Sequence, residues 1–557
     1  MPTMFDRIAA GIGLAHARRV YRRFLRETER AQDVQKRFLL DLLALNADSD
    51  YGRTHGFSAV RSPDDFRQRV PIATYEDLRP YINRVMQGET SALLGSKQRV
   101  MMFATSSGTT DQPKYVPVTP RFIADYRRGW NTFGHKLLTD HPKAILRAIL
   151  QSSGRHDESL APSGVPCGAI TGLLALTQKR IIRRFYVSRP ELARIADPRG
   201  RYYALMRLAI VRDVGFAVTA NPATFVQLAR VADEESETLI RDVRDGTMCG
   251  KLVPDDAVRA LLSRRLRPDP ERAAFLDRLR QAEGCLRPRD YWSPAFLACW
   301  IGGSMGHFLD RLREWYGPLP VRDIGLLASE GRVTIPVEDG LPAGVLDIAG
   351  GFFEFLPLAD YDKPDTRTLL PAELEVGGEY VVVLSNSSGL MRYRLDDVVR
   401  VRGRLNAVPI LEFRRRAGRV ASVAGEKLTE DQVVAAIEQA RRELGLPEFD
   451  FVLAPQWTDP PSYRLSLEQK VPPRFVSALD KSLCSQNQEY ESRRKSFRLA
   501  ELCLRTLPLG SLARMDSETV ASRGARPEQY KRQCLFTSPG DDDQALRLTG
   551  NEQIVKN

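Results

Sequence analysis

Between Phe103 and Pro117 the chain reads FATSSGTTDQPKYVP. An apolar lead, Val100 to Ala104, runs into Ser106, Ser107, Gly108, Thr109 and Thr110, and a lysine follows at Lys114. Hydroxyls donate to phosphate oxygens, a glycine lets backbone N–H groups come close, and a lysine adds positive charge, so the composition suits a phosphate-holding loop. The ordinary P-loop is excluded: it ends in Gly-Lys-Ser/Thr, whereas Pro113-Lys114-Tyr115 stands here. The same residue types mark plain surface loops, and the stretch alone leaves both readings open.

Three further groups could do chemistry. Gly302-Gly303-Ser304-Met305-Gly306 matches the G-x-S-x-G of serine hydrolases and lies between a strand-like run and a helix. Such an enzyme takes its histidine downstream of the serine. The histidines are His16, His55, His135, His141, His156 and His307, and the last is too close to Ser304 to be held by a separate loop. A close-packed glycine turn against a ligand or helix is the better reading. Glu330, in Ala328-Ser329-Glu330-Gly331, puts a carboxylate at a strand end; it is either a solvated or capping residue or, beside phosphates, a ligand for Mg²⁺. In Arg392-Tyr393-Arg394-Leu395-Asp396-Asp397, strand alternation sends the two aspartates to opposite faces. One of them could accept a ribose diol; a turn or salt-bridged acid is the other reading.

Composition bounds what these groups can belong to. A chain of 557 residues exceeds what one compact core serves, so two or more domains are expected. Hydrophobic residues at 43% and charged residues at 27% are ordinary for a soluble protein, and no apolar run approaches the ~18 residues of a membrane span. Residues 8–15 imitate a short signal peptide, but Asp6 spoils the basic flank. The net charge of +12 is dispersed. Its densest part, Arg18 to Arg30, reads as the solvated face of a helix, and no RRM, KH or aromatic-basic pattern points to nucleic acid. Seven scattered cysteines without C-x-x-C or zinc spacing fit reduced thiols in a cytoplasm.

The elements that must position these groups follow from periodicity. Residues 16–48 predict helices, with Val34, Phe38, Leu42 and Leu45 at helical spacing. Apolar runs at 145–150, 209–219, 296–301 and 324–328 then alternate with helical patterns, the punctuation of an α/β domain whose ligands gather at the carboxyl ends of strands. Strand signals dominate 351–402. After the basic cluster Arg414 to Arg419 the pattern becomes helix 429–444, strands 449–454 and 463–467, and helix 474–484. This predicts a large α/β domain with mixed sheets flanked by helices over 1–420 and a small, mobile α+β domain over 421–557. Gly418 and Gly425 give the hinge freedom, and the acidic tail from Gly540 is expected to be mobile.

Eight segments occur in one order: VPIATYEDLRPYI (70–82), SSGTTDQPKYVP (106–117), GGSM (302–305), ASEG (328–331), GFFEFLP (351–357), GLMRYRLDDVVRV (389–401), EKLTEDQV (426–433) and QYKRQ (529–533). From about residue 30 to about residue 535 they resemble the acyl acid amido synthetases of the auxin-responsive promoter family, a branch of the adenylate-forming superfamily that includes acyl-CoA synthetases and luciferase. The resemblance implies that Ser106 to Thr110 with Lys114 form the ATP phosphate loop and that Ser304 lies beside adenine or the acyl group. Ser329 and Glu330 would face the nucleotide, Glu330 through Mg²⁺. Asp397 would take the ribose hydroxyls, Arg416 would contact the nucleotide, and Lys531 matches the mobile lysine that reaches the reacting phosphate and carboxylate. Three departures stand out: Asp111 where the superfamily loop has glycine, Leu326 or Leu327 where plant members have an aromatic residue, and Arg532-Gln533 after Lys531 in place of proline.

The resemblance implies ATP and Mg²⁺, a carboxylic acid substrate and an amine or amino acid acceptor, with amide formation through an acyl adenylate. Transfer to coenzyme A, a carrier thiol or an alcohol is the alternative; no nucleic acid or membrane partner is expected. Substrate choice is expected in the 154–172 and 202–224 regions.

Overall fold

The computed structural model describes residues 4–106, 114–302, 309–361, 363, 366–417, 420–424, 426–495, 498–522, 530 and 532–546, the side chains of 4–8 and 106 aside. Two helices, Met4–Glu29 and Ala31–Asn46, open the chain and absorb both the signal-like stretch and the basic one. Of the expected stripe, Phe38 and Leu42 are buried in the largest core together with Leu39 and Leu43, whereas Val34 packs half-buried against it and Leu45 is half-buried.

Among the described residues, three larger sheets and the short pair Leu327–Ala328 with Gly331–Arg332 carry the rest of the first 417 residues. A hairpin of Met102–Ser106 and Lys114–Val118 joins Pro166–Gly168 and Ser159–Leu160. A parallel sheet runs Ala148–Gln151, Val214–Val218, Phe296–Ala298, Val321–Arg322 and packs among the helices 198–209, 222–234 and 309–316 around a second core. A six-stranded antiparallel sheet runs Thr334–Ile335, Ala343–Leu346, Val408–Arg416, Tyr393–Leu405, Glu379–Ser385, Phe352–Pro357. The run 324–328 departs from its expectation. The strand of the parallel sheet is Val321–Arg322; Asp323 then turns the chain by accepting from the Ile301 and Gly325 N–H groups, and Gly325 takes φ +89° where a Cβ would meet the Thr334 carbonyl at 2.3 Å.

Beyond residue 420, helix Glu430–Glu443, strands Phe451–Gln456 and Ser462–Leu467 and helix Arg474–Gln486 follow the expected order around a core of their own, with Val433, Ile437, Leu465 and Leu479 fully buried. The tail corrects its expectation in part. Residues Asp541–Leu546 form a helix, with Asp542 buried between Arg464 (2.7 Å) and Arg505 (2.9 Å) and Leu546 buried beside Leu512. Acidic composition there signals an ion-paired anchor. The glycines of the expected hinge, Gly418 and Gly425, lie outside the described residues. All seven cysteines are unpaired, and no described helix is long and apolar enough to cross a membrane.

One buried charge makes a stability prediction. Asp347 lies under the main core beside Arg332 and Arg128, and its Oδ2 has no hydrogen-bond partner. Burial pushes its carboxyl up to about 6, with Arg128 and Arg332 acting the other way. The folded state therefore holds this proton more tightly than the unfolded chain, whose aspartates titrate near ~3.9. Stability from this group is present below pH 4 and is lost as pH rises through 6. Asp347→Asn is expected to stabilise the fold at pH 7.5 by on the order of 2 kcal/mol and to have little effect at about pH 3.5. Unfolding midpoints of parent and variant at both pH values check this; equal shifts at the two would refute it.

Candidate active site

The hairpin register fixes one side of the site. Ser106 pairs with Lys114 and Thr105 with Tyr115, so Lys114 is the first residue of the second strand, following the hydroxyl-rich segment in sequence. The Tyr115 N–H donates to Tyr75 Oη (2.8 Å), and Lys114 Nζ lies 5.5 Å from the centre of the Tyr75 ring. Tyr75 begins helix Tyr75–Met86, whose start is set by a capping box between Thr74 and Asp77. One residue before Thr74, Ala73 pairs with Tyr393: its N–H donates to the Arg392 carbonyl (2.9 Å) and its carbonyl accepts from Arg394 (2.8 Å). The first and sixth of the ordered segments are thus stitched together by backbone.

Ser329 and Glu330 are the two-residue turn between strands Leu327–Ala328 and Gly331–Arg332. The Ser329 hydroxyl donates weakly to the Thr105 carbonyl (3.4 Å), and the Glu330 carbonyl accepts from the Asn386 amide, which seats the turn against the hairpin. Glu330 is only 6% exposed. Its Oε1 accepts from Tyr393 Oη at 3.4 Å, and Lys114 Nζ donates to the same phenol oxygen at 3.5 Å. Burial and then the Glu330 charge push the Tyr393 phenol far up, so it stays protonated and remains a donor. Lysine, tyrosine and glutamate form one line.

Asp397 and Arg416 stand beside it. They face each other across the strand pair, and Arg416 Nε donates to Asp397 Oδ1 at 3.1 Å. Asp397 raises the Arg416 guanidinium, with further contributions from Glu330, Tyr393 and Asp396 against its burial. The neighbouring aspartate points elsewhere: Asp396 forms an ion pair with Arg394 (2.7 Å) and accepts from Tyr361 Oη (3.0 Å). Its φ of +59° interrupts plain strand alternation, a conformation that aspartate tolerates better than most residues.

Of the residues expected at a site, Lys114, Ser329, Glu330, Asp397 and Arg416 are brought together. Ser107, Gly108, Thr109, Thr110, Ser304 and Lys531 lie outside the described residues, as does the side chain of Ser106. Both chain neighbours of Lys531 are described. The Tyr530 carbonyl accepts from Asn221 Nδ2 (2.6 Å), and Arg532 pairs with Asp450 (2.8 Å) and Asp516. Asn221 follows strand Val214–Val218 at its carboxyl end and caps helix Pro222–Glu234. Tyr75, Tyr393, Asn386 and Asn221 were not singled out from the sequence. Tyr75 and Tyr393 sit inside two ordered segments, the one signal that could have found them.

Residues 20–321 match the GH3 family N-terminal domain, residues 344–416 the GH3 family central domain and residues 431–540 the GH3 family C-terminal domain. The chain belongs to the GH3 family. The jasmonoyl–L-amino acid synthetase JAR6 of Nicotiana attenuata is 30% identical over 437 residues, 75% of this chain and 74% of that protein. JAR4 of the same plant, also a jasmonoyl–L-amino acid synthetase, is 27% identical over 531 residues, 90% and 91% of the two chains. A probable indole-3-acetic acid-amido synthetase of Oryza sativa subsp. japonica, GH3.4, is 28% identical over 574 residues, 92% and 87%. The fold superposes on the GH3.15 acyl acid amido synthetase in complex with 2,4-DB with a TM-score of 0.82 at 21% identity, covering 95% of each chain. As a GH3 protein the chain is an enzyme, a ligase that adenylates a carboxylic acid and joins the acyl group to an amine. Lys114 falls within the GH3 N-terminal domain and Asp397 and Arg416 within the central one, while Ser329 and Glu330 lie in the stretch between them.

Proposed function

We propose that the line Lys114–Tyr393–Glu330, flanked by Arg416 and Asp397, is where a carboxylic acid is activated by ATP, and that an amino acid amine then takes the acyl group. The observation that carries this is the convergence of a cation, a protonated phenol and a buried carboxylate at the strand ends that flank the hydroxyl-rich segment. The substrate carboxylate attacks the α-phosphate and pyrophosphate leaves. Lys114 and Arg416 offset the repulsion between two anions, which is the main barrier to this step. Asp397 accepts from the ribose hydroxyls, and the turn hydroxyls of Ser106, Ser107, Thr109 and Thr110 donate to phosphate oxygens. The amine then attacks the activated carbonyl and AMP departs, leaving an amide.

Glu330 fits a magnesium ion. Mg²⁺ takes one or two carboxylates and fills its remaining positions with water and phosphate oxygens. Among the described residues no group of three or more His, Cys, Asp or Glu side chains gathers, and the Glu330 carboxylate accepts a long bond from Tyr393 that leaves its other lone pairs for a cation. When bound there the ion supplies charge neutralisation at the phosphates. Tyr393 orients the carboxylate and keeps Lys114 near it.

The unit after residue 420 acts as a lid in this proposal, delivering Lys531 for the first step and withdrawing it for the second. The bonds to Tyr530 and Arg532 support the reading, because they hold the two chain neighbours of Lys531 against the strand ends and the small unit. The seven unpaired thiols of the whole chain suit a cytoplasmic location.

Acid-dependent exchange of pyrophosphate into ATP, screened over carboxylic acids and then with amines added, tests the function. Exchange with no acid, or amide formed without exchange, would overturn it. In the same assay Tyr393→Phe is expected to lose about tenfold in exchange rate, the loss of roughly one net hydrogen bond, with the fold kept. A rate equal to the parent's would remove Tyr393 from the site.

A further inference from the structure

A second cluster of charge lies on the far side of the parallel sheet. Strand Val214–Val218 leads at its carboxyl end to Asn221 and the proposed active site, whereas Arg212 stands just before its amino end, about 16 Å of strand away. There a cavity of about 220 Å³ is lined by Arg189, Arg207, Arg212, Arg265 and Arg267, with Asp269 as its carboxylate. Arg207 is 1% exposed and donates to neutral partners, the carbonyls of Thr247 (3.0 Å) and Asp242 (2.7 Å). The Asp242 carboxylate is engaged by Tyr203 and Thr247 hydroxyls. Arg267 is turned onto the carbonyls of Arg264 and Leu266 in its own turn. Among the described residues no carboxylate lies within ion-pair distance of Arg189, Arg207, Arg212 or Arg265.

These cations converge. The Arg189 guanidinium is pushed down by burial, then by Arg265 and Arg212, with Glu191 acting in the opposite direction. Asp269 is partly committed elsewhere, since its Oδ1 caps helix Pro270–Glu283 through the Arg272 N–H. The walls are rigid: the Asp269 N–H donates to the Val243 carbonyl, and Gly246, at φ +70°, lets the backbone pass where a Cβ would meet Pro268 N at 2.5 Å. A cluster of several like charges with one partly committed carboxylate is unfavourable by itself and becomes favourable when an anion enters. Guanidinium forks match phosphate oxygens best. The volume is below the roughly 300 Å³ at which drug-sized ligands begin, so a phosphate group fits inside and a nucleoside does not.

We propose that this cavity binds a compact phosphoryl anion, either inorganic phosphate, pyrophosphate or the phosphate end of a nucleotide, through Arg189, Arg207, Arg212 and Arg265. The full-length protein is treated with phenylglyoxal and modification of individual arginines is followed by mass spectrometry. Phosphate, pyrophosphate, ATP, or sodium chloride of matched ionic strength is added in separate arms. The exposed Arg212 and Arg265 are expected to be protected about tenfold at a ligand concentration ten times Kd, while the exposed Arg180 reacts at an unchanged rate. Protection by pyrophosphate or phosphate alone identifies a free anion, and equal protection by ATP identifies a nucleotide tail. The double variant Arg189→Ala, Arg265→Ala is expected to weaken this binding on the order of 100-fold in calorimetry and to keep the parental rate of acid-dependent exchange. No protection by any of the three anions, equal protection by sodium chloride or at Arg180, or unchanged affinity in the double variant would overturn the site.

Discussion

Glu330→Gln is expected to lower acid-dependent pyrophosphate exchange by about 10³-fold, with circular dichroism and the unfolding midpoint unchanged. The amide keeps the shape of the side chain and an oxygen that can still accept from Tyr393, so the packing around a residue only 6% exposed survives. What disappears is the negative charge. In the proposed site that charge balances Lys114 and Arg416 when no nucleotide is bound and holds a divalent cation when one is. A capping or merely structural glutamate would behave differently, since glutamine restores most hydrogen bonds of a cap. Exchange within twofold of the parent would therefore remove Glu330 from the chemistry, whatever the behaviour of its neighbours. Loss of exchange together with a lowered unfolding midpoint would assign it to the fold.

Glu330 could be singled out from the sequence because a carboxylate between two strand fragments is visible in one dimension. Its partner could not. Tyr393 meets Ala73, more than 300 residues earlier, through a backbone bridge, and a tyrosine at the start of a strand otherwise reads as core. Tyr75 is hidden in the same way. The strand and helix order of the region after residue 420 was legible because alternation and helical spacing are local properties. The acidic helix Asp541–Leu546 was not, because what orders it is distant: Arg464 lies 78 residues from Asp542 and Arg505 lies 37 away. Composition reports that a segment is charged. It does not report whether buried counter-charges await it. The turn at Asp323 and Gly325 shows a third limit, where an apolar run, Ile324 to Ala328, contains a position that only a left-handed glycine next to the Thr334 carbonyl can occupy.

Asp397 and Arg416 illustrate how far a resemblance extends beyond residues. Both were assigned separately, one to ribose and one to the nucleotide, and the structure joins them in a single ion pair. A guanidinium held by one carboxylate oxygen keeps other donors available and is oriented by the bond. The pair is therefore best regarded as one device, in which Asp397 fixes the arginine and still offers a lone pair to a hydroxyl.

Lys531→Ala is expected to slow adenylation by on the order of 10²-fold or more and to leave amide formation from a preformed acyl adenylate nearly unchanged. The asymmetry follows from when the charge is needed. Negative charge builds as the carboxylate meets the α-phosphate, and a cation there is worth more in the transition state than in the ground state. Aminolysis makes no such demand, because pyrophosphate has left and the attacking amine is neutral. The bonds on either side of the lysine sharpen the test. Asn221 holds the Tyr530 carbonyl and Asp450 and Asp516 hold Arg532, so Asn221→Ala and Arg532→Met are expected to slow adenylation by roughly tenfold each through positioning, again sparing aminolysis. Both half-reactions are measured on all three variants. Equal losses in the two steps would point to damage to the fold or to a lid that does not move. Loss in Asn221→Ala but none in Lys531→Ala would transfer the role from the lysine to the contact itself, and no loss in either would leave Lys531 a solvated surface lysine of the kind common in a chain of net charge +12.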